Sequence, residues 1–345
     1  MQKRKIAIVG ATGFTGSELV RILVNHPDVE IAAITSESRN GESFSDVHPF
    51  FQGICEKTLI KAGELNREEI DLAFLALPHG VSMEYVEKFA DAPFKMVDLS
   101  GDFRLNSPDV YTTWYKKSHT YPEGFKDAVY GIPELHSQTI KQAKLVANPG
   151  CYPTSAILGL APLLEAGIAR TNGIIVDAKS GITGAGVKPK AVNHFSAVND
   201  NFKAYGLKNH RHSIEIEENA TQLGGESAKV QFTPHLLPVD RGILASIYAR
   251  PKSSISQASL LKTFEAYYRD APFVRIRKSP PAIKDVRGTN YCDLYCDYDE
   301  RTENIIVISA IDNLVKGAAG QAVQNMNLML SLDESAGLNQ IPLQP

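Results

Sequence analysis

The chain has 345 residues, 43% of them hydrophobic and 22% charged, with a formal net charge of −3, which is the make-up of an ordinary globular protein of about two domains. Its lysines and arginines are scattered, so neither nucleic acid nor a membrane surface is expected as a partner, and no apolar run approaches the ~20 residues of a membrane span. Met1-Gln2-Lys3-Arg4-Lys5 begins like the basic end of a signal peptide, but no long apolar core or cleavage site follows, and Cys55, Cys151, Cys292 and Cys296 are too few for a disulfide framework; a reducing, cytoplasmic setting is expected.

In chain order, Ile6–Val9 reads as a buried strand, followed by a glycine turn and an amphipathic segment from Gly16 to Asn25. Ile31–Ile34 is a second strand, and Leu72–Leu77 a third that Pro78 stops. Val81, Tyr85 and Phe89 recur every four residues, as on one helix face, and Met96–Leu99 is a further strand. Short apolar runs alternating with helical patterns predict parallel α/β units. Past residue 150 a helical stretch from Thr154 to Ala166 leads into β-rich segments at Gly173–Ala178, Lys229–Phe232, Ile243–Ala249, Phe273–Ile276, Tyr291–Cys296 and Ile305–Ala310. Strands with few helices between them predict an α+β second domain with a mixed sheet. Val315–Leu330 is apolar enough to be a helix that packs back on the first domain, and Ser335–Pro345 reads as a loosely held terminus.

Gly10-Ala11-Thr12-Gly13-Phe14-Thr15-Gly16 follows the first strand and opens a helix. Glycines there let the backbone approach a pyrophosphate, which the helix N-terminus favours; taken alone, the same residues would serve a tight turn. The fold class is therefore α/β: a Rossmann-type domain over 1–150, completed by 314–332, and a second, α+β domain over 151–313 that opens on Cys151. After the second strand comes Thr35-Ser36-Glu37-Ser38-Arg39. Ser36 and Ser38 can donate hydrogen bonds and Arg39 a charge-assisted fork to a 2′-phosphate, so NADP is the expected cofactor, with Glu37 the one residue that would suit NAD.

Asn148-Pro149-Gly150-Cys151-Tyr152-Pro153-Thr154 lies between a strand and a helical run. The turn presents Cys151 to a helix N-terminus, which favours a working thiolate; an inert, buried filler cysteine is the other reading, and spacing does not decide between them. Cys292 and Cys296, four apart on an alternating strand, read as core on one face. No metal site is expected: His210 and His212 lack an evident third ligand, and there is no Cys-x-x-Cys.

Taken in order, four stretches resemble the N-acetyl-γ-glutamyl-phosphate reductase family of the aspartate-semialdehyde dehydrogenase-like superfamily. They are Gly10–Gly16; Ala76-Leu77-Pro78-His79-Gly80 with Asp98-Leu99-Ser100-Gly101-Asp102-Phe103-Arg104; Asn148–Thr154; and His210-Arg211-His212 with Asp312-Asn313-Leu314-Val315-Lys316-Gly317-Ala318. The resemblance spans Lys5 to about Leu330. It implies an NADPH-dependent reduction of a small acyl phosphate through a Cys151 thioester, in arginine biosynthesis, with His212 as acid and base and a homo-oligomer, dimer or tetramer. Arg104 would meet the transferring phosphate or the substrate carboxylate, and His210 and Lys179 would help to bind the substrate. Gly10, Thr12, Gly13, Phe14, Thr15, Gly16, Leu77 and Pro78 would join Ser36, Ser38 and Arg39 on the cofactor, with Ser180, Gly181 and Asn313 at its nicotinamide end. Lys188 and Lys190 are equally well solvated loop charge.

Each residue also has a plainer reading. Arg104 could be surface charge, and His212 could only start a helix capped by Ser213, with Glu215 and Glu217 near its positive end. Aspartate-semialdehyde dehydrogenases carry an amide side chain soon after the cysteine. None stands between Tyr152 and Gly167 here, which leaves the oxyanion donors to backbone N–H groups. The alternatives are a sister enzyme of lysine biosynthesis through aminoadipate, a short-chain dehydrogenase built on Tyr248 and Lys252, which Pro251 opposes, and an NADP-binding regulator without chemistry.

Overall fold

The computed structural model describes residues 2–343. They fall into two compact units: one holds residues up to Pro149 together with Ala318–Asn339, the other Gly150–Gly317 together with the residues from Gln340 on.

The first unit is built on a six-stranded sheet of β1 (Arg4–Val9), β2 (Val29–Thr35), β3 (Leu72–Leu75), β4 (Lys95–Asp98), β5 (Ala128–Tyr130) and β6 (Leu145–Ala147). Its order is β2-β1-β3-β4-β6-β5, and every pairing is parallel. Ile6–Val9 and Leu72–Leu75 are buried at every position, as strands covered on both faces must be. Helices α1 (Phe14–Leu23), α2 (Phe44–Val47), α3 (Ser82–Lys88), α4 (Pro108–Tyr115) and α5 (Pro133–Gln142) connect them, and α10 (Gly320–Met329) returns from the far end of the chain. Gln321 and Asn325 of α10 both donate to Gly131 O, at 3.1 and 2.9 Å, and a Cβ at Gly131 would stand 2.5 Å from Asn325 Nδ2.

Two local expectations fail in this unit. The buried face of α3 is Met83 and Val86, continued by Phe89, whereas Val81 and Tyr85 are half-exposed. Spacing by three fits 3.6 residues per turn as well as spacing by four. The terminus is also held further than expected: Leu338 is fully buried, and Asn327 donates to Glu334 O and Ala336 O while its Oδ1 meets His26 Nε2.

The second unit carries the mixed sheet. Its strands are β7 (Ile174–Ser180), β8 (Lys203–Ala204), β9 (Val230–Leu236), β10 (Ile243–Ala249), β11 (Val274–Ile276), β12 (Cys292–Asp299) and β13 (Asn304–Ile311), in the order β11-β12-β13-β10-β7-β9-β8. Pairs β7–β9 and β11–β12 are parallel, the rest antiparallel. Helices α6 (Cys151–Glu165), α7 (Phe195–Val198), α8 (His212–Gly224) and α9 (Gln257–Tyr267) complete it. One sheet face is covered by α6, whose Gly159 lies against Ile247 and Val307. Cys292 and Cys296 are buried in β12. Tyr248 lies within β10 and Lys252 pairs with Glu226 at 2.8 Å, so the two do not share a helix. Among the described residues no helix is long and apolar enough to cross a membrane.

Helix α6 starts at Cys151, three residues before the expected start. Gly150, in an extended conformation, is its N-cap, and Pro153 in the first turn costs no hydrogen bond there. Pro162 lies deeper, where its missing N–H strands the carbonyl of Leu158 four residues back. The Tyr268 hydroxyl donates to that carbonyl at 2.5 Å. Tyr268→Phe should therefore destabilise the second unit by about 1–2 kcal/mol. Adding Pro162→Ala should recover part of the loss by returning an N–H to Leu158 O. Denaturant unfolding of the four proteins of this cycle checks it, and additive effects would rule out the exchange of donors.

Candidate active site, unit by unit

In the first unit, β1 runs into Gly10 at φ +87°, where a Cβ would stand 2.6 Å from Ala76 O. A Cβ at Gly16 would stand 2.6 Å from Gly10 O, so α1 rests directly on the loop. Gly13 is the N-cap of α1, without a side-chain cap and with open space where a Cβ would be. Among the described residues no side chain caps these first-turn N–H groups, and this is the cradle a pyrophosphate needs. Thr12, Phe14 and Thr15 are half-buried around it, Leu77 packs beside Gly10, and Pro78 is exposed. A dinucleotide fits these residues.

At the end of β2 the expected residues separate. Ser36 is buried, with its N–H on Ile60 O, whereas Ser38 and Arg39 are exposed. Glu37 turns to the far side of the loop: its Oε1 accepts from Ala62 N–H at 3.1 Å and from the Tyr85 hydroxyl at 3.3 Å. Arg39 Nη1 pairs with Glu42 at 3.0 Å.

Arg104 is buried rather than on the surface. It donates from Nε to Asn148 O at 2.7 Å and from Nη2 to Leu99 O at 2.8 Å. Asn148 is itself held by Asn325 Nδ2 at 3.0 Å and by its own donation to Ala318 O at 3.1 Å. Two buried carboxylates organise the loops around it. Asp102 accepts from the N–H groups of Gly80 and Met83 and from the Tyr111 hydroxyl. Asp98 accepts from the Ser82 and Ser100 hydroxyls and from Ser100 N–H; burial and the neighbouring Asp102 carboxylate push its pKa above the usual carboxylate range. Both aspartates belong to the Asp98–Arg104 stretch, and their task is to hold N–H groups and hydroxyls of neighbouring loops.

In the second unit Cys151 opens α6, where free N–H groups and the helix dipole favour a thiolate. His212 begins α8, and a Cβ at Gly150 would lie 2.5 Å from His212 Nε2, so only glycine admits the imidazole beside the cysteine. Glu215, one turn further on and fully buried, accepts the Gly150 N–H at 2.8 Å. On the other side a Cβ at Gly317 would stand 2.7 Å from Cys151 Cβ. Gly317 lies in a π-helical turn over Val315–Ala319, led in by Asp312, whose Oδ1 accepts from the N–H groups of Leu314 and Val315. Single-turn π segments are frequent at functional sites.

Ser213 does not cap α8, since the helix starts one residue earlier. The N-cap position is Arg211, which makes no side-chain cap, and the His212 N–H donates instead to His210 Nδ1 at 3.1 Å. Burial, then the adjacent Arg211 charge, push His210 down to about 4, and it packs among Tyr152, Tyr205 and Phe232. A neutral imidazole with that task does not act as a substrate cation. Lys179 is also displaced from its expected role. Strand alternation puts Ser180, Ala178 and Val176 on the α6 face and Lys179 on the opposite one, where it pairs with Asp177 at 2.7 Å. Lys188 and Lys190 are exposed loop residues.

Ser180, Gly181 and Asn313 do come together. Asn313 Oδ1 accepts from Gly242 N–H at 2.8 Å, Asn313 Nδ2 donates to Thr183 Oγ1 at 2.9 Å, and Gly181 N–H donates to Gly242 O at 2.9 Å. Among the described residues no group of three or more His, Cys, Asp or Glu side chains is placed to hold a metal ion.

A parallel dinucleotide-binding sheet joined to a mixed-sheet unit that opens on a cysteine helix defines the semialdehyde dehydrogenase class. Residues 5–143 match the semialdehyde dehydrogenase NAD binding domain, and 151–313 match the semialdehyde dehydrogenase dimerisation domain. Aspartate semialdehyde dehydrogenase II of Vibrio cholerae has the same fold, with a TM-score of 0.74 at 17% identity, over 96% of this chain and 99% of that one. The N-acetyl-gamma-glutamyl-phosphate reductases of Halothermothrix orenii and Desulfotalea psychrophila are 47% and 50% identical to this chain, each match covering 99% of both sequences. The chain belongs to the N-acetyl-gamma-glutamyl-phosphate reductase family.

The glycine pressed against the cysteine gives a direct test. Gly317→Ala should force Cys151 to move and slow turnover by about 10–10². Alkylation of Cys151 should change in rate, while dinucleotide affinity stays as it was. Unchanged turnover and alkylation would mean that the contact does not set the position of the cysteine.

Proposed function

We propose that this chain reduces N-acetyl-γ-glutamyl phosphate to N-acetylglutamate γ-semialdehyde with release of phosphate, in arginine biosynthesis, using NADPH. The observation that carries the reading is Cys151 at the first position of α6, with the His212 imidazole against Gly150 and Glu215 on the Gly150 N–H. Near-full-length relatives bearing that enzyme name support it. The choice of NADP over NAD rests on Arg39, exposed at the end of β2, and on Glu37 being taken up by Ala62 and Tyr85.

His212 removes the thiol proton, and the Cys151 thiolate attacks the acyl carbon. The bond from that carbon to the phosphate oxygen breaks, phosphate leaves and takes up one proton, and a thioester remains on Cys151. The nicotinamide, when bound, supplies the hydride that reduces the thioester carbonyl. His212 gives a proton to the oxygen as it becomes an alkoxide, then takes the hydroxyl proton back as the carbon–sulfur bond breaks and the aldehyde departs. Arg104, fixed through two backbone carbonyls, would meet the phosphate or the substrate carboxylate. Ser180, Gly181 and Asn313 would meet the nicotinamide end. The sheet face away from α6, with Ile175 exposed, would join a second copy of the chain, as the matched dimerisation domain suggests.

Spectrophotometry in the reverse direction, with N-acetylglutamate semialdehyde, phosphate and NADP, should show NADPH appearing. Cys151→Ser should abolish it while NADP binding stays nearly intact, because an alkoxide is both hard to form and a poor leaving group. Retention of more than a few per cent of activity would exclude the covalent route.

His212→Asn should cut the rate by about 10²–10⁴. Raising the pH should rescue part of this, since thiolate then forms without a base, but the proton for the alkoxide is still missing. A pH–rate profile beside a melting curve checks it. An unchanged profile at an unchanged melting point would remove His212 from the chemistry and leave it as the first residue of α8.

A further inference from the structure

We propose that Glu42 is a specificity-determining residue of the cofactor site, a resident anion on Arg39 that opposes the cofactor's 2′-phosphate. The inference rests on the reading of Arg39 as the 2′-phosphate contact. Glu42 Oε2 and Oε1 lie 3.0 and 3.3 Å from the same Arg39 nitrogen, Nη1. Glu42 therefore grips one corner of the guanidinium and does not use its Nε–Nη2 edge.

The backbone holds this arrangement. Glu42 N–H donates to Arg39 O at 3.2 Å, closing a turn through Gly41 at φ +87°. Gly41 N–H donates to Leu59 O and Leu59 N–H to Glu42 O, at 2.8 and 2.9 Å, so the turn is fastened to the neighbouring segment. The carboxylate thus stands across a pinned turn from Arg39.

Charge sets the sign of the effect. Glu42 sits on Arg39 while Glu37 is held by Ala62 N–H and the Tyr85 hydroxyl, so the guanidinium already carries one carboxylate before any ligand arrives. A 2′-phosphate has a charge near −2 at neutral pH, and on Arg39 it would sit well within a Debye length of Glu42. Against that repulsion stands whatever ordering Glu42 gives Arg39. Both side chains are about half exposed, 53% and 40%, and exposed pairs of this kind order each other weakly. Repulsion wins, and Glu42 holds affinity for a phosphorylated ribose below what Arg39 alone would allow.

The test is calorimetric titration of the full chain with 2′,5′-ADP and with 5′-AMP. Glu42→Gln should tighten 2′,5′-ADP about three- to tenfold at low ionic strength and leave 5′-AMP within about twofold. The gain should shrink as salt is added. Arg39→Gln should weaken 2′,5′-ADP and spare 5′-AMP. If Arg39→Gln weakens 2′,5′-ADP but Glu42→Gln leaves it unchanged or weaker, the role of Glu42 is overturned while the Arg39 contact stands. If Arg39→Gln has no selective effect, the underlying 2′-phosphate assignment falls, and the role of Glu42 with it.

Discussion

Glycine at 150 and at 317 lets a histidine ring and a backbone turn close on Cys151 from two sides, and the proposed chemistry depends on that closeness. A thiolate has to be held where it can attack, then leave, without swinging away between the two steps. Here the side chain is confined by what its neighbours lack: a Cβ at either position would lie within 2.7 Å of His212 or of the cysteine itself. Glu215 then fixes the Gly150 peptide, so the restraint acts on the main chain as well as on the side chain. Positioning of this kind is what converts an ordinary thiol into an efficient nucleophile.

The first unit solves a related problem with buried charge. Asp98 and Asp102 tie the loops that follow β3 and β4 to each other through backbone N–H groups and hydroxyls, at the carboxyl ends of the strands where open parallel sheets bind ligands. Burying two carboxylates together is costly, and Asp98 shows it by holding a proton at a higher pH than a free aspartate does. What the arrangement secures is loop geometry: the same stretch of chain ends at Arg104, whose guanidinium is committed to two carbonyls.

Much of this was legible in residue order, because the carriers of the fold are local. The glycine loop, the strands and the cysteine turn each sit within a few residues, where periodicity and turn chemistry act. Glu215 was visible only as helical charge, since its task is an N–H 65 residues away. His210 reads as a substrate contact, because an imidazole that accepts a helix's first N–H has no sequence signature apart from its neighbour. Lys179 was a readable miss: in a strand, adjacent residues face opposite ways, so it could not share the face of Ser180. Arg104 was ambiguous for a different reason, because one of the two carbonyls that hold its guanidinium belongs to Asn148, far along the chain.

The order of the chain has a consequence for how the molecule is born. The first unit is interrupted after Pro149 and resumes only at Ala318, with Gly150–Gly317 of the second unit inserted between. During synthesis, residues 1–149 emerge from the ribosome without the helix that donates Gln321 and Asn325 to Gly131, and they must wait for it while Gly150–Gly317 are made. The inserted unit has nearly all its strands and helices in hand by then and can fold first. The dinucleotide-binding unit, although it begins the chain and has all six strands by Ala147, lacks its returning helix until nearly the end of synthesis.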